Sequence, residues 1–248
     1  MLHPQRNSNQ CSFSVVVPVL NEQENINAVI QHVREQDADG ICEIIVVDGD
    51  AQGGTIKIIE DEEVISIISG KGRAHQMNAG AALAHGEILM FLHADTTLPD
   101  NAFRKIQAVL RDDKYVGGAF DLAIDSDRLG LKFIAARARL RSRLSRVPFG
   151  DQAIFVRRSY FEKIGRFKDM VFLEDIEFMK RIKKRGDEIF IFRDRVKTSA
   201  RRWEKEGLIY TTLRNKIVVN LYKLGVSPKR LARYYRNHSD EAPGKSGT

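Results

Sequence analysis

The chain has 248 residues, 43% of them hydrophobic, with 40 Lys and Arg against 33 Asp and Glu and a net charge of +7. That bounds it to one large domain, or one domain with an appendage, and points to an anionic partner: nucleic acid, lipid headgroups or phosphorylated small molecules. The opening MLHPQRNSNQ lacks an apolar h-region, no window reaches the roughly 18 apolar residues of a spanning helix, and Cys11 and Cys42 show no metal spacing. These features argue against a signal peptide, a membrane span and a cysteine metal site, and fit a reduced cytoplasmic setting.

Residues 1–11 read as a leader. Ser12–Leu20 reads as a buried strand with Pro18 near its end, where a ladder donor can be spared. Asn21 and Glu22 follow, then a helix to about Arg34 and a turn over Asp37–Gly40. Glu43–Asp48 is a second buried strand ending in an acid. After the glycine loop 49–54 a helix is expected, then a short strand, Val64–Ser69, and the loop Gly70–Arg73. The alanine-rich stretch 74–84 suits a tightly packed helix ended by Gly86. Ile88–Leu92 is too short to span a membrane and fits a central strand buried on both faces. It stops at His93-Ala94-Asp95-Thr96, and Pro99 is expected to open a helix.

Strand and helix alternate with short connections through the first hundred residues. This is the pattern of a mostly parallel α/β sheet covered by helices on both faces. The second half reads as a strand over Val116–Ile124 interrupted at Gly117-Gly118, a basic helix over 128–146, a strand over Gln152–Val156 and a short helix over Ser159–Ile164. A helix from Phe172 to about Lys184, a strand over Glu188–Phe192 and a helix over Leu208–Tyr222 follow. Pro228 is expected to start a basic C-terminal helix. The segment 128–146 holds seven Lys or Arg and no acid, and Leu129, Phe133, Leu140 and Leu144 recur at helical spacing with Ala136 in the stripe.

Four polar sites follow strands or open helices: Asn21-Glu22, Asp48, Asp95 and Glu174-Asp175. In an open α/β sheet, ligands bind beyond the carboxyl ends of the strands. If the strands are parallel neighbours, the first three sites lie on one edge. A carboxylate there can hold a divalent cation, and the cation can hold phosphates. Each acid could equally cap its following helix or complement its dipole.

The segments VVVPVLNE, EIIVVDG, the Lys71–Arg73 loop leading to Asn78-Ala79-Gly80, GEILMFLHAD and FLEDIEFMKR occur in that order. Together they resemble the family 2 glycosyltransferases with a GT-A fold, over roughly residues 12–200. GGAF, GDQAIF and ARRW resemble a bacterial subgroup of that family, largely of unassigned substrate. The resemblance implies a catalytic domain over 12–200 and a helical extension over 201–240. Its implied function is inverting transfer of a sugar from a nucleotide-diphosphate donor, usually UDP-linked, to an acceptor hydroxyl. Pro18, Asn21 and Glu22 would line the nucleotide pocket, Asp48 would read the base, and Lys71, Arg73, Asn78 and Ala94 would approach base and diphosphate. Asp95 would bind Mg2+ or Mn2+, Asp175 would be the general base, and Glu174 would share the work beside it. His93, Asp151, Gln152, Arg202 and Trp203 would contact substrate.

The chain departs from the family at His93-Ala94-Asp95, where the first acid of the DxD motif is a histidine. Hard cations prefer oxygen, and histidine suits Mn2+ better than Mg2+. Ser199 also occupies the glutamine position of the QxxRW motif, which argues against a processive synthase. A sugar-phosphate nucleotidyltransferase would need a glycine-rich basic loop after the first strand, and VPVLNEQEN has neither glycine nor lysine. A non-catalytic membrane-surface binder on the same fold is the third reading. Candidate partners are therefore a nucleotide-diphosphate sugar, a lipid or small-molecule acceptor, an anionic membrane surface on the inner face, and a second copy of the chain. No nucleic-acid recognition module is present.

Overall fold

The computed structural model describes residues 12–228 and 230–231. The leader, Cys11 and most of the basic C-terminal segment lie outside the described residues. Eight strands form one sheet: β1 (Phe13–Val19), β2 (Cys42–Asp48), β3 (Ile65–Ile68), β4 (Ile88–Phe91), β5 (Thr96–Thr97), β6 (Tyr115–Asp125), β7 (Ile154–Arg157) and β8 (Glu188–Ser199). Their order across the sheet is β3-β2-β1-β4-β7-β6-β8-β5. β1 pairs in parallel with β2 and β4, β2 with β3, and β6 with β8; β7 is antiparallel to both β4 and β6, and β5 is antiparallel to β8. Only β7 and β5 therefore run against the common direction, and the expected mostly parallel sheet is what forms.

Residue alternation sends the strands' side chains into two cores. Val15, Val17, Val19, Ile44, Val46 and Met90 meet Val29, Ile30 and Val33 of α1 (Ile26–Gln36) and Phe103 and Ile106 of α3 (Ala102–Leu110). Val16, Ile45, Val47, Leu89 and Phe91 face the other way. They meet Ala74, Met77 and Ala81 of α2 (Arg73–Leu83), Phe161 of α5 (Arg158–Lys163), and Phe178 and Ile182 of α6 (Glu174–Arg185). Each such aliphatic or aromatic side chain contributes about 1.5–3 kcal/mol when fully withdrawn from water. The alanine content of α2 is explained by its closeness to the sheet: a Cβ on Gly80 would lie 2.5 Å from Val16 Cγ1 and 3.0 Å from Val47 Cγ2.

Four expectations need correction. The helix expected after the glycine loop is only a 3-10 turn, Ile56–Ile58. Side chains of α1 satisfy that backbone instead: Asn27 Nδ2 donates to Ile58 O at 2.8 Å, Asn27 Oδ1 accepts from Glu60 N at 3.2 Å, and Arg34 Nε holds Asp61 at 2.8 Å. After Asp95 the chain first forms β5, so α3 begins at Ala102, not near Pro99. Gly117 and Gly118 do not interrupt β6; side chains there would strike the Phe155 and Phe190 carbonyl oxygens of the flanking strands. β8 runs on to Ser199 because Arg193, Arg195 and Lys197 face water while Val196 and Thr198 are buried, the alternation of a half-buried strand.

The basic segment is α4 (Leu129–Ser145), with Leu131, Ala135 and Ser142 buried against the sheet. A third small cluster lies beneath it, where Ile124, Leu131, Ala135 and Ala200 pack with Trp203 of α7 (Arg201–Glu206) and Leu208 of α8 (Leu208–Lys223). Among the described residues, no helix is long and apolar enough to cross a membrane.

Candidate active site

The carboxyl ends of β1, β2 and β4 share one edge of the sheet. Because β7 is reversed, its beginning lies beside the end of β4, with Ile154 opposite Phe91. That register brings the turn Gly150–Gln152 level with His93–Asp95. A Cβ on Gly150 would sit 3.2 Å from His93 Nε2 and 3.3 Å from Asp175 Oδ2. Asp175 Oδ2 accepts the Gly150 N–H at 2.5 Å and its Oδ1 accepts the Ile176 N–H at 2.7 Å, so the carboxylate is held by two backbone donors.

Acids crowd this rim. Asp151 is half-buried, its Oδ1 is buried without a hydrogen-bond partner, and its pKa is pushed up to about 6 by burial, with Asp175 and Asp95 adding and Arg141 and Arg73 opposing. Glu174 is 4% exposed, and burial followed by the charge of Asp175 pushes it up to about 7 against the pull of Arg73. Arg141 reaches in from α4 with its guanidinium 3.2 Å from the centroid of the Phe149 ring. Its Nε is buried without a partner, and burial lowers its pKa against the opposing charges of Asp151 and Asp175. Acids and bases from the turn after β4, α2, α4, the turn before β7 and α6 thus lie within electrostatic reach of one another.

The half of the rim at the ends of β1 and β2 is more tied down than the sequence suggested. Asp48 is wholly buried; Oδ1 accepts from Asp50 N at 2.9 Å and Oδ2 from Thr55 N at 3.0 Å, so its carboxylate organises its own loop. Asn21, exposed and at φ 56°, and Glu22, half-buried, follow Pro18 at the end of β1. Glu22 accepts from Arg201 at 3.2 and 3.1 Å. This is possible because β5 pairs with the end of β8 and Ser199 N donates to Asp95 O at 3.0 Å. Arg201 is therefore held at the rim, within electrostatic reach of Asp95. The Arg202 side chain lies outside what is described.

Lys71 and Arg73 are exposed at the entrance of α2, where Gly72 adopts φ 133°. Ala94 is buried in the turn, and Asp95 is half-buried with Thr96 Oγ1 at 3.3 Å. Three further expectations are corrected. Asn78 spends its amide on the Phe167 backbone, at 2.8 and 3.1 Å, and holds α2 to the loop before α6. Gln152 is wholly buried: Oε1 accepts from Ser142 Oγ at 2.8 Å and Phe149 N at 3.1 Å, and Nε2 donates to Phe120 O at 2.7 Å. Trp203 packs into the cluster under α4. The sequence reading also missed Gln76, which is buried and donates to both Val19 O at 2.7 Å and Val47 O at 2.8 Å. It clamps the ends of β1 and β2; a polar residue on the packed face of an alanine-rich helix was the available signal.

Among the described residues, no group of three His, Cys, Asp or Glu forms a metal cage. The acids do suit a cation held in part by a ligand: Asp95 and the unpartnered Asp151 oxygen face a site whose negative charges repel one another.

The sheet is mostly parallel with acids and bases gathered at its carboxyl edge, and the chain belongs to glycosyl transferase family 2, whose profile matches residues 14–165. It is 25% identical over 221 residues to the probable glycosyltransferase YdaM of Bacillus subtilis (strain 168), an alignment covering 78% of this chain and 50% of that protein. The chain thus spans half the length of this curated relative. Its fold is that of the mannosyltransferase PcManGT from Pyrobaculum calidifontis, solved in complex with GDP-Man and Mn2+: TM-score 0.63, 19% identity, covering 90% of this chain and 67% of the other.

Proposed function

We propose that the chain transfers a glycosyl group from a nucleoside diphosphate sugar to an acceptor hydroxyl, with inversion at the anomeric carbon. The observation that carries this is the convergence of Asp95, Asp151, Glu174 and Asp175 with Arg73 and Arg141 on one rim. Asp175 is the base. Its carboxylate, aimed by the Gly150 and Ile176 amides, takes the acceptor's hydroxyl proton. The acceptor oxygen bonds to the anomeric carbon as the bond to the diphosphate oxygen breaks on the opposite face. Such general-base help is typically worth roughly 10²–10⁴-fold.

The leaving diphosphate carries the developing negative charge. Lys71, Arg73 and the entrance of α2 supply positive charge and free backbone donors on that side, and Arg201 adds a guanidinium beside Glu22. A divalent cation held by Asp95, with His93 beside it, would add Lewis-acid stabilisation of the diphosphate; the histidine favours Mn2+ over Mg2+. UDP is the donor nucleotide expected from the resemblance, and GDP is the nucleotide of the fold neighbour.

The test pairs binding with turnover. Nucleotide diphosphates, UDP and GDP among them, are screened by thermal shift with and without Mn2+, followed by donor turnover. At least one should raise the melting temperature in a cation-dependent way. Asp175→Asn should keep that shift and lose transfer or donor hydrolysis by at least about 10²-fold. Equal turnover in variant and parent removes Asp175 from the base role, and absence of any nucleotide shift removes the donor.

A further inference from the structure

We propose that the outward face of α4 docks on an anionic phospholipid bilayer. The helix is packed inside out. The side chains it turns to the sheet are few and mostly small, Leu131, Ala135 and Ser142, while its larger apolar residues face water: Leu129 is 82% exposed, Phe133 62%, Leu140 59% and Leu144 76%. At 3.6 residues per turn these four fall within an arc of about 60°, nearly opposite the packed face. A helix stabilised only by its own domain would put its large apolar residues inward. Here the packed face is already closed by the small residues and by Trp203 and Leu208 beneath it, so nothing within the described fold can cover the stripe.

The charges around the stripe choose the occupant. No acid occurs anywhere in 128–146. Four of the seven basic residues turn inward: Arg139 to Leu122 O, Arg141 to the cleft, Arg143 to Asp121 and Arg146 to Ile189 O. The remaining three, Arg128, Lys132 and Arg137, are exposed, and Lys132 and Arg137 flank the stripe on its two sides. Arg137 lies 5.8 Å from the Phe133 ring centroid, and Lys132 pairs with the exposed Asp127 at 3.0 Å. An apolar stripe bordered by bases is the pattern of a helix lying in the headgroup layer of an anionic leaflet. A second copy is a poorer occupant: a two-fold interface would set the same bases against each other in a chain of net charge +7. With no described helix able to span a bilayer, attachment through this face is interfacial.

The docking face belongs to the same helix as Arg141, and the chain passes from its end through Val147–Phe149 directly into Gly150 and Asp151. A bilayer on α4 therefore lies beside the acceptor side of the cleft, where it would present a lipid-borne hydroxyl. Only this use rests on the transferase reading; the docking itself does not.

The experiment is co-sedimentation of the full chain with vesicles of phosphatidylglycerol and phosphatidylcholine, against vesicles of phosphatidylcholine alone. The parent should pellet with the anionic vesicles at low ionic strength, far less with the neutral ones, and be released by salt. Leu140→Asp/Leu144→Asp should bind at least about tenfold more weakly, and Lys132→Glu/Arg137→Glu should weaken binding to the anionic vesicles. Both changes are at exposed positions, so the melting temperature and the nucleotide-induced shift should stay as in the parent. The proposal is overturned if the parent stays in the supernatant, if both variants bind as the parent does, or if the parent is a dimer by light scattering that the leucine variant makes monomeric. Vesicle binding without any nucleotide-induced shift would remove the transferase reading and leave the docking face standing.

Discussion

Replacing Gln152 by alanine tests whether the turn that carries Gly150 and Asp151 is held from within. The side chain is wholly buried and partners Ser142 Oγ, Phe149 N and Phe120 O, at 2.8, 3.1 and 2.7 Å. Truncation strands the Phe120 carbonyl in the interior and leaves the part-buried Phe149 N–H unmatched; the Ser142 hydroxyl keeps its bond to Ala138 O at 2.7 Å. A buried donor or acceptor left unmatched costs about 1–3 kcal/mol, so the expected loss is about 3 kcal/mol. For a chain of this size that is roughly a 6–12 °C fall in melting temperature. Urea unfolding should show a lower midpoint with unchanged slope. The exposed Gln31→Ala on α1, which surrenders only a bond to Glu35, should stay within about 0.5 kcal/mol. Transfer should suffer beyond the stability loss, because the amide that aims Asp175 sits on the released turn. A Gln152→Ala protein less than about 1 kcal/mol weaker than its parent would refute the reasoning.

Other substitutions probe other links. Glu174 binds its proton more tightly folded, with a pKa of about 7, than in the unfolded chain near 4.5. Its contribution to stability is therefore most favourable below about pH 4.5, falls as pH rises to about 7 and is flat above. Glu174→Gln should remove that fall, gaining about 2 kcal/mol relative to the parent at pH 8 compared with pH 5; parallel urea curves in the two proteins would contradict it. Gly118→Ala should cost at least about 2 kcal/mol, since the new methyl meets the Phe190 carbonyl and the Phe155 ring, and the strand backbone cannot retreat far; an unchanged calorimetric melt would contradict the close approach. Arg201→Ala should change stability by less than about 1 kcal/mol, as its pair with Glu22 is half-exposed, yet weaken nucleotide affinity about tenfold by titration calorimetry.

The central strands and their trailing acids were legible because full burial on two faces leaves continuous apolar runs that stop abruptly at polar residues. The half-buried end of β8 was not, since its alternating arginines and lysine read as loop. Nor was the loss of the helix after the glycine loop, which depends on Asn27 and Arg34 in a separate element. At the rim, residue type located the chemistry but not the division of labour. Asn78, Gln152 and Asp48 have the same polar groups whether they face a ligand or the backbone, and only tertiary distances tell the two apart. The antiparallel pairing of Thr96 with Thr198 is what carries Arg201 to Glu22, and no local signal in the sequence announces it.

The reversed course of β7 makes the rim a seam between two stretches of chain. On the proposed transferase reading, donor-side groups would come from where early strands finish and acceptor-side groups from where a later strand starts. A change in the turn before β7 would then reshape acceptor choice without shifting the strands that hold the donor.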